Sequence, residues 1–241
     1  MVAEGERFER RRFGAGSNDH QPAGAALLRR LGARPGLDVH TNHLDLAGLD
    51  TSLLERWTGE ARKGAPGYEV FTLRGEWPPD LRPALVELTH VMNTAPTGSL
   101  AVEPHELTPE QVLEYDRQRA ALGVVRFTAV ARHVPTGELV GYTELSRDAG
   151  RPFMGVQGDT AVRPEHRGHG LGRWLKAVNL LAFLEDPAGA RFVRTYNADS
   201  NGPMLAINLE MGFRRYLART EWQFDGASVP QAARELETSA S

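Results

Sequence analysis

One stretch of this 241-residue sequence constrains its fold more than any other. A strand-like segment ending near residue 162 runs into a turn that carries a glycine at every second position, and the turn opens directly into a helical pattern. The apolar residues on one side of that pattern are Leu171, Trp174, Leu175, Val178 and Leu181. Such a strand, turn and one-sided helix predict a sheet with helices packed against it.

The glycine turn is suited to binding an anion. The first amides of a helix have no acceptor within the helix, and the helix dipole places about half a positive charge there. The three glycines let a ligand approach the backbone closely, and Arg167 and Arg173 flank them. A diphosphate is the occupant that these features predict. The same glycines would also serve a plain tight connection between a strand and a helix.

Three phosphate-binding patterns can be compared with this turn. A Walker A loop requires Lys and then Ser or Thr after its last glycine, and no such pair follows here. A dinucleotide fingerprint has the spacing Gly-x-Gly-x-x-Gly, which differs from a glycine at every second position. The third pattern, Arg/Gln-x-x-Gly-x-Gly/Ala after an apolar strand, is matched by residues 167–172.

A second segment lies downstream of the turn. Residues 195–213 read Thr-Tyr-Asn-Ala-Asp-Ser-Asn-Gly-Pro-Met-Leu-Ala-Ile-Asn-Leu-Glu-Met-Gly-Phe. Together with the turn, this segment resembles the GNAT family of acyl-CoA-dependent N-acyltransferases, particularly its actinobacterial, mycothiol-synthase-like members, over residues 68–224. The resemblance implies an α/β (α+β) GNAT fold, with a mixed central sheet and helices on both faces. It also implies transfer of an acetyl group from acetyl-CoA, as co-substrate, to a small-molecule amine.

The same resemblance assigns cofactor-binding residues. In the family, two neighbouring strands diverge and the pantetheine arm pairs with the freed backbone, a role that would fall to Ala161, Val162 and Arg163. An amide near Val162 would then polarise the thioester carbonyl. Asn201 would touch the cofactor arm or simply cap the following helix. The turn residues assigned to the cofactor are Arg167, Gly168, His169, Gly170, Leu171, Gly172 and Arg173.

The acid that protonates the departing thiolate has no clear candidate. Most family members carry a tyrosine four residues before the glycine that closes the fourth helix, and Asn208 occupies that position here. Asparagine can hydrogen-bond the sulfur or hold a water molecule, but it donates no proton outright. Tyr142 and Tyr196 are alternatives, and each also reads as a half-buried packing residue on a strand.

Two carboxylates, Asp159 and Glu144, are candidates for the base that accepts the amine proton. Both lie on strands expected to border the cleft, where burying a carboxylate is costly unless it has a function or a partner. Gln157 is predicted to share the face of Asp159 by the two-residue period of a strand, but it does not titrate. A solvated position for Glu144 is the alternative. By analogy with the family, residues 92–96 line the acceptor pocket.

Helix and strand patterns alternate along the chain. Predicted strands cover residues 37–49, 68–73, 124–133, 138–146, 156–162, 192–196 and, in one or two pieces, 213–224. Predicted helices cover residues 23–31, 53–62, 79–93, 108–123, 170–185 and 203–211.

A Gly-Ala-Pro-Gly break at residues 64–67 divides the chain. We predict an N-terminal extension at residues 1–66, an acetyltransferase domain at residues 67–226 and a flexible tail at residues 227–241. Residues 23–34 can be laid over residues 203–214, which suggests that the extension is the remnant of an upstream GNAT half. A helix closed by a glycine would explain the same match.

Composition excludes several classes of function. The sequence has no cysteine, so disulfides, thiolate metal sites and cysteine nucleophiles are ruled out. Its net charge of −3, with one dense basic run at residues 7–12 that reads as a solvated tail, argues against a nucleic-acid partner. No apolar stretch approaches the roughly 20 residues that cross a bilayer, and no secretory signal is predicted. We expect a cytoplasmic monomer or homodimer without a membrane partner.

The histidines do not predict a metal site. His166 and His169, like His40 and His43, have no further ligands close by in the sequence. Two rival functions accompany the acetyltransferase hypothesis. A catalytically degenerate CoA-binding or interaction module would explain Asn208, and a nucleotide-binding protein would explain the glycine turn.

Overall fold

The computed structural model describes residues 11–104 and 106–226. The predicted tail at residues 227–241 and most of the basic run at residues 7–12 lie outside these ranges. The strands are β1 Arg12–Asn18, β2 Arg34–Asp45, β3 Tyr68–Arg74, β4 Val124–His133, β5 Glu138–Asp148, β6 Met154–Val162, β7 Phe192–Ala198 and β8 Arg214–Asp225. They form one eight-stranded sheet in the order β1-β8-β2-β7-β6-β5-β4-β3.

The sheet is mixed, as predicted. Its neighbouring strands pair antiparallel, except that β6 and β7 run parallel. The helices are α1 Pro22–Arg30, α2 Thr51–Gly64, α3 Arg82–Thr89, α4 Pro109–Ala121, α5 Leu171–Leu184 and α6 Gly202–Met211. Short 3-10 segments follow at His90–Thr94 and Pro164–His166.

Helices cover both faces of the sheet. On one face, α2 and α5 pack through buried Leu54, Trp57, Leu180 and Phe183. On the other face, α3 and α4 pack against β4 and β5, and the buried residues there include Leu85, Leu88, Val112, Val130 and Tyr142. The predicted α/β (α+β) fold class is therefore confirmed.

Local sequence signals fix several helix starts. The hydroxyl of Thr108 accepts from the amide of Gln111 at 3.3 Å, and the Gln111 side chain accepts from the amide of Thr108 at 2.9 Å. This reciprocal capping satisfies two amides that would otherwise lack a partner at the start of α4. The carboxylate of Asp50 caps α2 by accepting from the amide of Leu53 at 3.3 Å, without a reciprocal bond.

The strand β1 was missed by the sequence prediction. Its Gly- and Arg-containing sequence has few of the β-branched and aromatic residues that favour strands. It nevertheless pairs with β8 from Arg12 to Asn18. The region predicted as one or two strands at residues 213–224 is a single long strand, β8 Arg214–Asp225, which pairs on its other side with β2. Strands from the predicted N-terminal extension thus share the sheet of the predicted domain, and their origin in an upstream GNAT half stays a prediction.

The functional geometry begins where β6 and β7 separate. The two strands pair from Met154 to Val156 on β6 and from Phe192 to Arg194 on β7, and their pairing ends there. Beyond this point β6 continues along β5, whereas β7 continues along β2. A gap between neighbouring strands therefore opens at the centre of the sheet.

Gly155 lies where β6 and β7 still pair, and the packing there leaves no room for a larger side chain. A Cβ atom on Gly155 would lie 2.9 Å from Phe183 and 3.3 Å from Val193, both of which are fully buried. Gly155→Val is therefore expected to lower the free energy of unfolding by about 1–3 kcal/mol, measured by urea denaturation. Gly59→Ala is the control, because a Cβ atom there meets nothing within 4 Å; it should stabilise α2 by up to about 1 kcal/mol. Equal losses in both variants would contradict the packing argument.

Candidate active site

Three cavities adjoin the gap between β6 and β7. The turn cavity, about 710 Å³, lies between the end of β6, the glycine turn, the start of α5 and α6. The central cavity, about 370 Å³, lies between β6 and β7 themselves. The acidic cavity, about 240 Å³, lies on the α3 and α4 side and is lined by Asp116, Glu144 and Asp159 among others. Met92 lines all three cavities, so the three open toward one region.

The turn cavity brings together most residues that the sequence assigned to a cofactor. Those that line it are Ala161, Val162, Arg167, Gly168, Gly170, Leu171, Gly172, Arg173 and Asn201. Two assigned residues are not among its lining residues. Arg163 donates from its guanidinium to Glu138 and to the carbonyl of Leu139, both at 3.2 Å, and His169 is exposed with its ring against the carbonyls of the turn.

The glycines of the turn have different roles. Gly168 and Gly170 have positive φ values of 83° and 72°, a region that non-glycine residues rarely adopt. Gly172 is helical, and a Cβ atom there would make an ordinary 3.6 Å contact with Ile207. The first intrahelical bond of α5 runs from the amide of Trp174 to the carbonyl of Gly170 at 3.1 Å, and no side chain caps the helix. The preceding amides at this helix start are thus free to bind an anion.

The arginines beside the turn are held in different ways. Arg167 donates from Nε to the carbonyl of Val162 at 3.0 Å. Arg173 forms a 2.6 Å ion pair with Glu210, which ties α5 to α6. Both arginines line the turn cavity, so both place positive charge at its wall.

The edge of β6 that faces the gap offers backbone groups. The amide of Arg163 donates to the carbonyl of Val140 on β5 at 2.8 Å. Since backbone groups of successive strand residues point to opposite edges, the amide of Val162 points away from β5, toward the gap. The contact of Arg167 with the carbonyl of Val162 lies on this same edge.

Two asparagines lie on or beside α6. The side chain of Asn201 caps α6 by accepting from the amide of Met204 at 3.4 Å, and Asn201 lines both the turn and central cavities. Asn208 is 2% exposed and donates from its amide to the side-chain oxygen of Asn197 at 2.7 Å. Its own side-chain oxygen has no hydrogen-bond partner among the described residues.

A β-bulge decides which side chains of β6 enter the acidic cavity. Leu145 pairs with Gln157 and Thr143 pairs with Thr160, so Gly158 and Asp159 together face a single residue of β5, Glu144. Such an insertion shifts the later side chains to the opposite face. The prediction that Gln157 shares the face of Asp159 is therefore wrong.

The bonds of these side chains show the two faces. Gln157 is buried on the α5 side and donates to the hydroxyl of Thr143 at 3.0 Å. Asp159 lies on the α3 and α4 side, where it accepts from the hydroxyl of Tyr142 at 3.3 Å. Asp159 is open to solvent through the cavities, whereas Gln157 is 4% exposed.

Glu144 lies on the same face as Asp159 and is part of a buried charge cluster. Arg126 on β4 contacts Asp116 at 2.6 Å and Glu144 at 3.2 Å, and its guanidinium stacks 4.1 Å from the centre of the Trp77 ring. Glu144 is thus neither free nor on a solvated face. The sequence analysis did not single out Arg126, Asp116 or Trp77, because their contacts depend on how a helix packs on the two strands that follow it, which no local pattern shows.

The electrostatics of the acidic cavity favour proton acceptance. Desolvation by the cavity walls raises the pKa of Asp159, and the Tyr142 hydroxyl and Arg119 offset part of that rise. Burial likewise raises the pKa of Glu144, with Arg126 opposing the rise and Asp159 adding to it. Carboxylates with raised pKa values inside a cleft are suited to act as general bases near neutral pH.

The two tyrosines do not lie half-buried as predicted. Tyr142 is 1% exposed, and burial, together with the nearby Asp159 and Glu144 charges, raises the pKa of its hydroxyl. Tyr196 is 44% exposed and lines the central cavity.

The four histidines considered for a metal have other partners. His40 contacts Asp199 at 2.8 Å, and His166 contacts the hydroxyl of Tyr68 at 3.0 Å. The ring of His43 accepts from Arg194 at 2.9 Å, and burial together with Arg194 lowers the pKa of His43 to about 4. In residues 11–104 and 106–226, no three His, Asp or Glu side chains form a group that could hold a metal ion. Across the same ranges, none of the helices has the length and apolarity needed to span a membrane.

A buried lysine in the central cavity was also missed by the sequence analysis. Lys176 on α5 is 1% exposed. The sequence prediction for this helix considered only its apolar residues. The sequence signal that could have found it is that Lys176 is the one charged residue between Trp174 and Leu184.

Comparisons with known proteins agree with this geometry. A model of the Acetyltransferase (GNAT) family matches residues 87–213, more than half of the chain. Two proteins are named mycothiol acetyltransferase, one from Salinispora arenicola (strain CNS-205) and one from Salinispora tropica. They are 34% and 33% identical to this chain over 91 residues. Each match covers 37% of this chain but 29% of the relative, so it spans less than a third of the relatives' own length.

Solved structures share the fold. A tandem GNAT protein from the clavulanic acid biosynthesis pathway is 26% identical, with a TM-score of 0.73 over 93% of this chain and 67% of that chain. A GCN5-related N-acetyltransferase from Sphaerobacter thermophilus has a TM-score of 0.62 at 15% identity, over 89% of this chain and 60% of that chain. The resemblance predicted from the glycine turn and residues 195–213 is therefore confirmed, and the chain belongs to the acetyltransferase (GNAT) family.

Proposed function

We propose that this chain transfers an acetyl group from acetyl-CoA directly to a small-molecule amine. The observation that carries the proposal is the turn cavity, because one end is lined by the free amides of α5 and the other by the unpaired edge of β6. A diphosphate followed by an extended arm requires such a combination of anion site and strand edge.

The residues of the turn cavity fit coenzyme A. The start of α5 would hold the pyrophosphate, with positive charge from Arg167 and Arg173 at the wall. The edge of β6 at Ala161 and Val162 would pair with the pantetheine arm, and Asn201 would contact the arm from the start of α6. Acetyl-CoA supplies the acyl group as a thioester.

The chain's own groups would then act on the thioester and the amine. The amide of Val162 would donate to the thioester carbonyl as negative charge develops on its oxygen, a contribution worth about 3 kcal/mol in comparable sites. Asp159 would accept the proton of the amine, directly or through water, and Glu144 would hold Arg126 in place beside it. The acidic cavity, lined also by Trp77 and in part by Met92, would hold the acceptor.

The relatives support this assignment at the level of the reaction. Two similar proteins are named mycothiol acetyltransferases, and the family model describes acetyltransferases. A catalytically degenerate CoA-binding module is the second candidate, favoured by one observation: Asn208 cannot donate a proton outright, and its amide is already bonded to Asn197.

Two measurements separate these functions. Isothermal titration calorimetry with CoA should detect binding, and ATP and NAD should produce none. Thiol release from acetyl-CoA in the presence of a panel of small amines should exceed the uncatalysed rate for at least one amine. Binding without turnover would favour the module, and no heat with CoA would overturn both functions.

A pair of glycine variants tests the anion site. Gly170→Val should weaken CoA binding by about 10–150-fold, since losing one charge-assisted hydrogen bond costs about 1.5–3 kcal/mol. Gly137→Val, in the turn between β4 and β5, is the matched control. Both glycines have positive φ, 72° and 75°, and open space around a Cβ atom, so both variants carry similar backbone strain. Unchanged CoA affinity in folded Gly170→Val would contradict the proposed pyrophosphate site.

A further inference from the structure

The chain uses lysine sparingly, and one of its lysines is buried. Of its 28 Lys and Arg residues, Lys63 and Lys176 are the two lysines. Lys63 is exposed at the end of α2, whereas Lys176 is 1% exposed on α5. Arginine keeps its charge wherever it lies, but a buried lysine can release its proton. Lys176 is thus a basic residue placed where it can exchange a proton.

The ammonium group of Lys176 is buried and has no carboxylate partner in the part of the chain that the structure describes. It is 5.7 Å from the centre of the Phe213 ring, and no ion pair joins it to any carboxylate of the described ranges. Desolvation alone lowers the pKa of Lys176 from 10.5 to about 7. The charged groups that share its cavity are Asp159 on β6 and the 2.7 Å ion pair of Arg219 with Glu221 on β8.

The central cavity places Lys176 between the other two cavities. Thr160, Asn201 and Met204 line both the central and the turn cavities. Asp159 lines both the central and the acidic cavities. An acyl group entering along β6 and an amine entering past Asp159 would therefore meet in the space that Lys176 lines.

We propose that Lys176 is the general acid that protonates the thiolate released during acetyl transfer. This inference rests on the proposed function, and it supplies the proton that Asn208 cannot donate. A lysine whose two forms are both populated near neutral pH is suited to this step.

The proposed step balances in atoms and charge. The amine nitrogen forms a bond to the acetyl carbon, the carbon–sulfur bond breaks, and its electron pair stays on sulfur. Sulfur then takes a proton from Nζ of Lys176, and the neutral lysine regains a proton from water. A protonated amine loses two protons in all, one before it attacks and one after, and both pass to Asp159 and then to solvent. The products are an amide and CoA thiol, with one proton released for each protonated amine consumed.

A lysine titration tests the contact without requiring turnover. Protein labelled with ¹³C at lysine should give two Cε signals, which Lys63→Arg assigns. The Lys176 signal should titrate with a midpoint near 7. The midpoint with CoA should lie about half a pH unit or more above the midpoint with desulfo-CoA, because a thiol coupled to the lysine favours the ammonium as the thiol ionises. Desulfo-CoA fills the same space without a thiol. Equal effects of the two ligands, or none from either, would overturn the inference.

Kinetics of a neutral variant test the role in catalysis. Lys176→Met should lower kcat for thiol release by about 10²-fold while CoA affinity measured by calorimetry stays within about threefold of wild type. The wild-type rate should fall as pH rises through the Lys176 midpoint, and the variant should lack this fall. Lys63→Met, on the surface, is the control and should match wild type.

The outcomes separate this inference from the proposed function. Lys176→Met removes a buried charge without an ion-pair partner, so its melting temperature should equal or exceed that of wild type, whereas a purely structural lysine would leave a less stable protein. A folded variant that binds CoA and keeps full kcat and the wild-type pH profile would refute the role of Lys176 but leave the acetyltransferase proposal intact. Failure of wild type to bind CoA would instead refute the proposed function, and the inference with it.

Discussion

Replacing Asp159 by asparagine is expected to lower kcat/KM for amine acetylation by about 10²–10⁴-fold, the usual contribution of a general base. Asp159 is the carboxylate in the acidic cavity that is open to solvent, and its hydrogen bond to Tyr142 at 3.3 Å fixes its direction. Asparagine has a similar shape but accepts no proton, so the variant should keep its fold and lose the base. Thiol release from acetyl-CoA with the best amine of the panel is the measurement.

The pH profile gives this prediction a second readout. Desolvation raises the pKa of Asp159, so the wild-type rate should rise with pH through a range above that of an ordinary aspartate. Asp159→Asn should lack that rise. Its affinity for CoA should be unchanged, because Asp159 does not line the turn cavity.

Glu144→Gln is the matched variant for the base. Because Arg126 holds Glu144 at 3.2 Å, we expect its loss to reduce kcat/KM by less than about tenfold. A large loss in Glu144→Gln with full activity in Asp159→Asn would exchange the two roles. Full activity in both variants at every pH would show that neither carboxylate is the base.

Arg126→Met is expected to lower the free energy of unfolding by about 3–5 kcal/mol, the cost of leaving a buried charge without its partner. The side chains of Arg126 and Asp116 are 7% and 5% exposed and lie 2.6 Å apart. The same guanidinium also contacts Glu144, so one substitution leaves two carboxylates uncompensated. Urea denaturation at neutral pH measures the loss.

The loss should depend on pH in a definite direction. Burial raises the pKa of both Asp116 and Glu144 even with Arg126 present, so their charged forms weaken the fold. Carboxylates with folded pKa values above their unfolded ones reduce stability as pH rises through the folded pKa. The penalty in Arg126→Met should therefore be smaller at acid pH, where both groups are protonated, and larger above neutrality.

A surface arginine on the same strand provides the control. Arg132 on β4 pairs with Glu69 at 2.7 Å, but these side chains are 33% and 50% exposed. Arg132→Met should cost no more than about 1 kcal/mol, as is usual for an exposed pair. Equal losses in the two variants would contradict the buried cluster, and adding Asp116→Asn to Arg126→Met should recover part of the stability.

The family and the sheet with helices on both faces could be predicted from the sequence, and so could the strand, glycine turn and helix at residues 154–184. The reason is that each depends on residues close together in the chain. Gly168 and Gly170 have positive φ, and Thr108 caps α4. Both features depend on the residue type at one or two positions, so they can be predicted from the local sequence. The strand that such local features could not reveal is β1, whose pairing with β8 joins the two ends of the described chain.

The face of the sheet on which each side chain of β6 lies depends on the tertiary structure. A strand pattern of period two places Gln157 beside Asp159, but the bulge opposite Glu144 separates them onto two faces. The position of a bulge depends on how two strands pair, and one strand alone does not encode it. Only the packed sheet therefore brings Asp159 into the acidic cavity.

The charged core of the site has the same origin. Arg126 meets Asp116 and Glu144 because a helix and the two strands that follow it pack together, and Lys176 reaches the central cavity because α5 packs on β5 and β6. Burial sets whether such groups are charged, and burial exists only after the chain has folded. Local sequence was therefore enough to predict the glycine turn, whereas the packed fold was needed to show which carboxylates and which lysine lie beside the cavities.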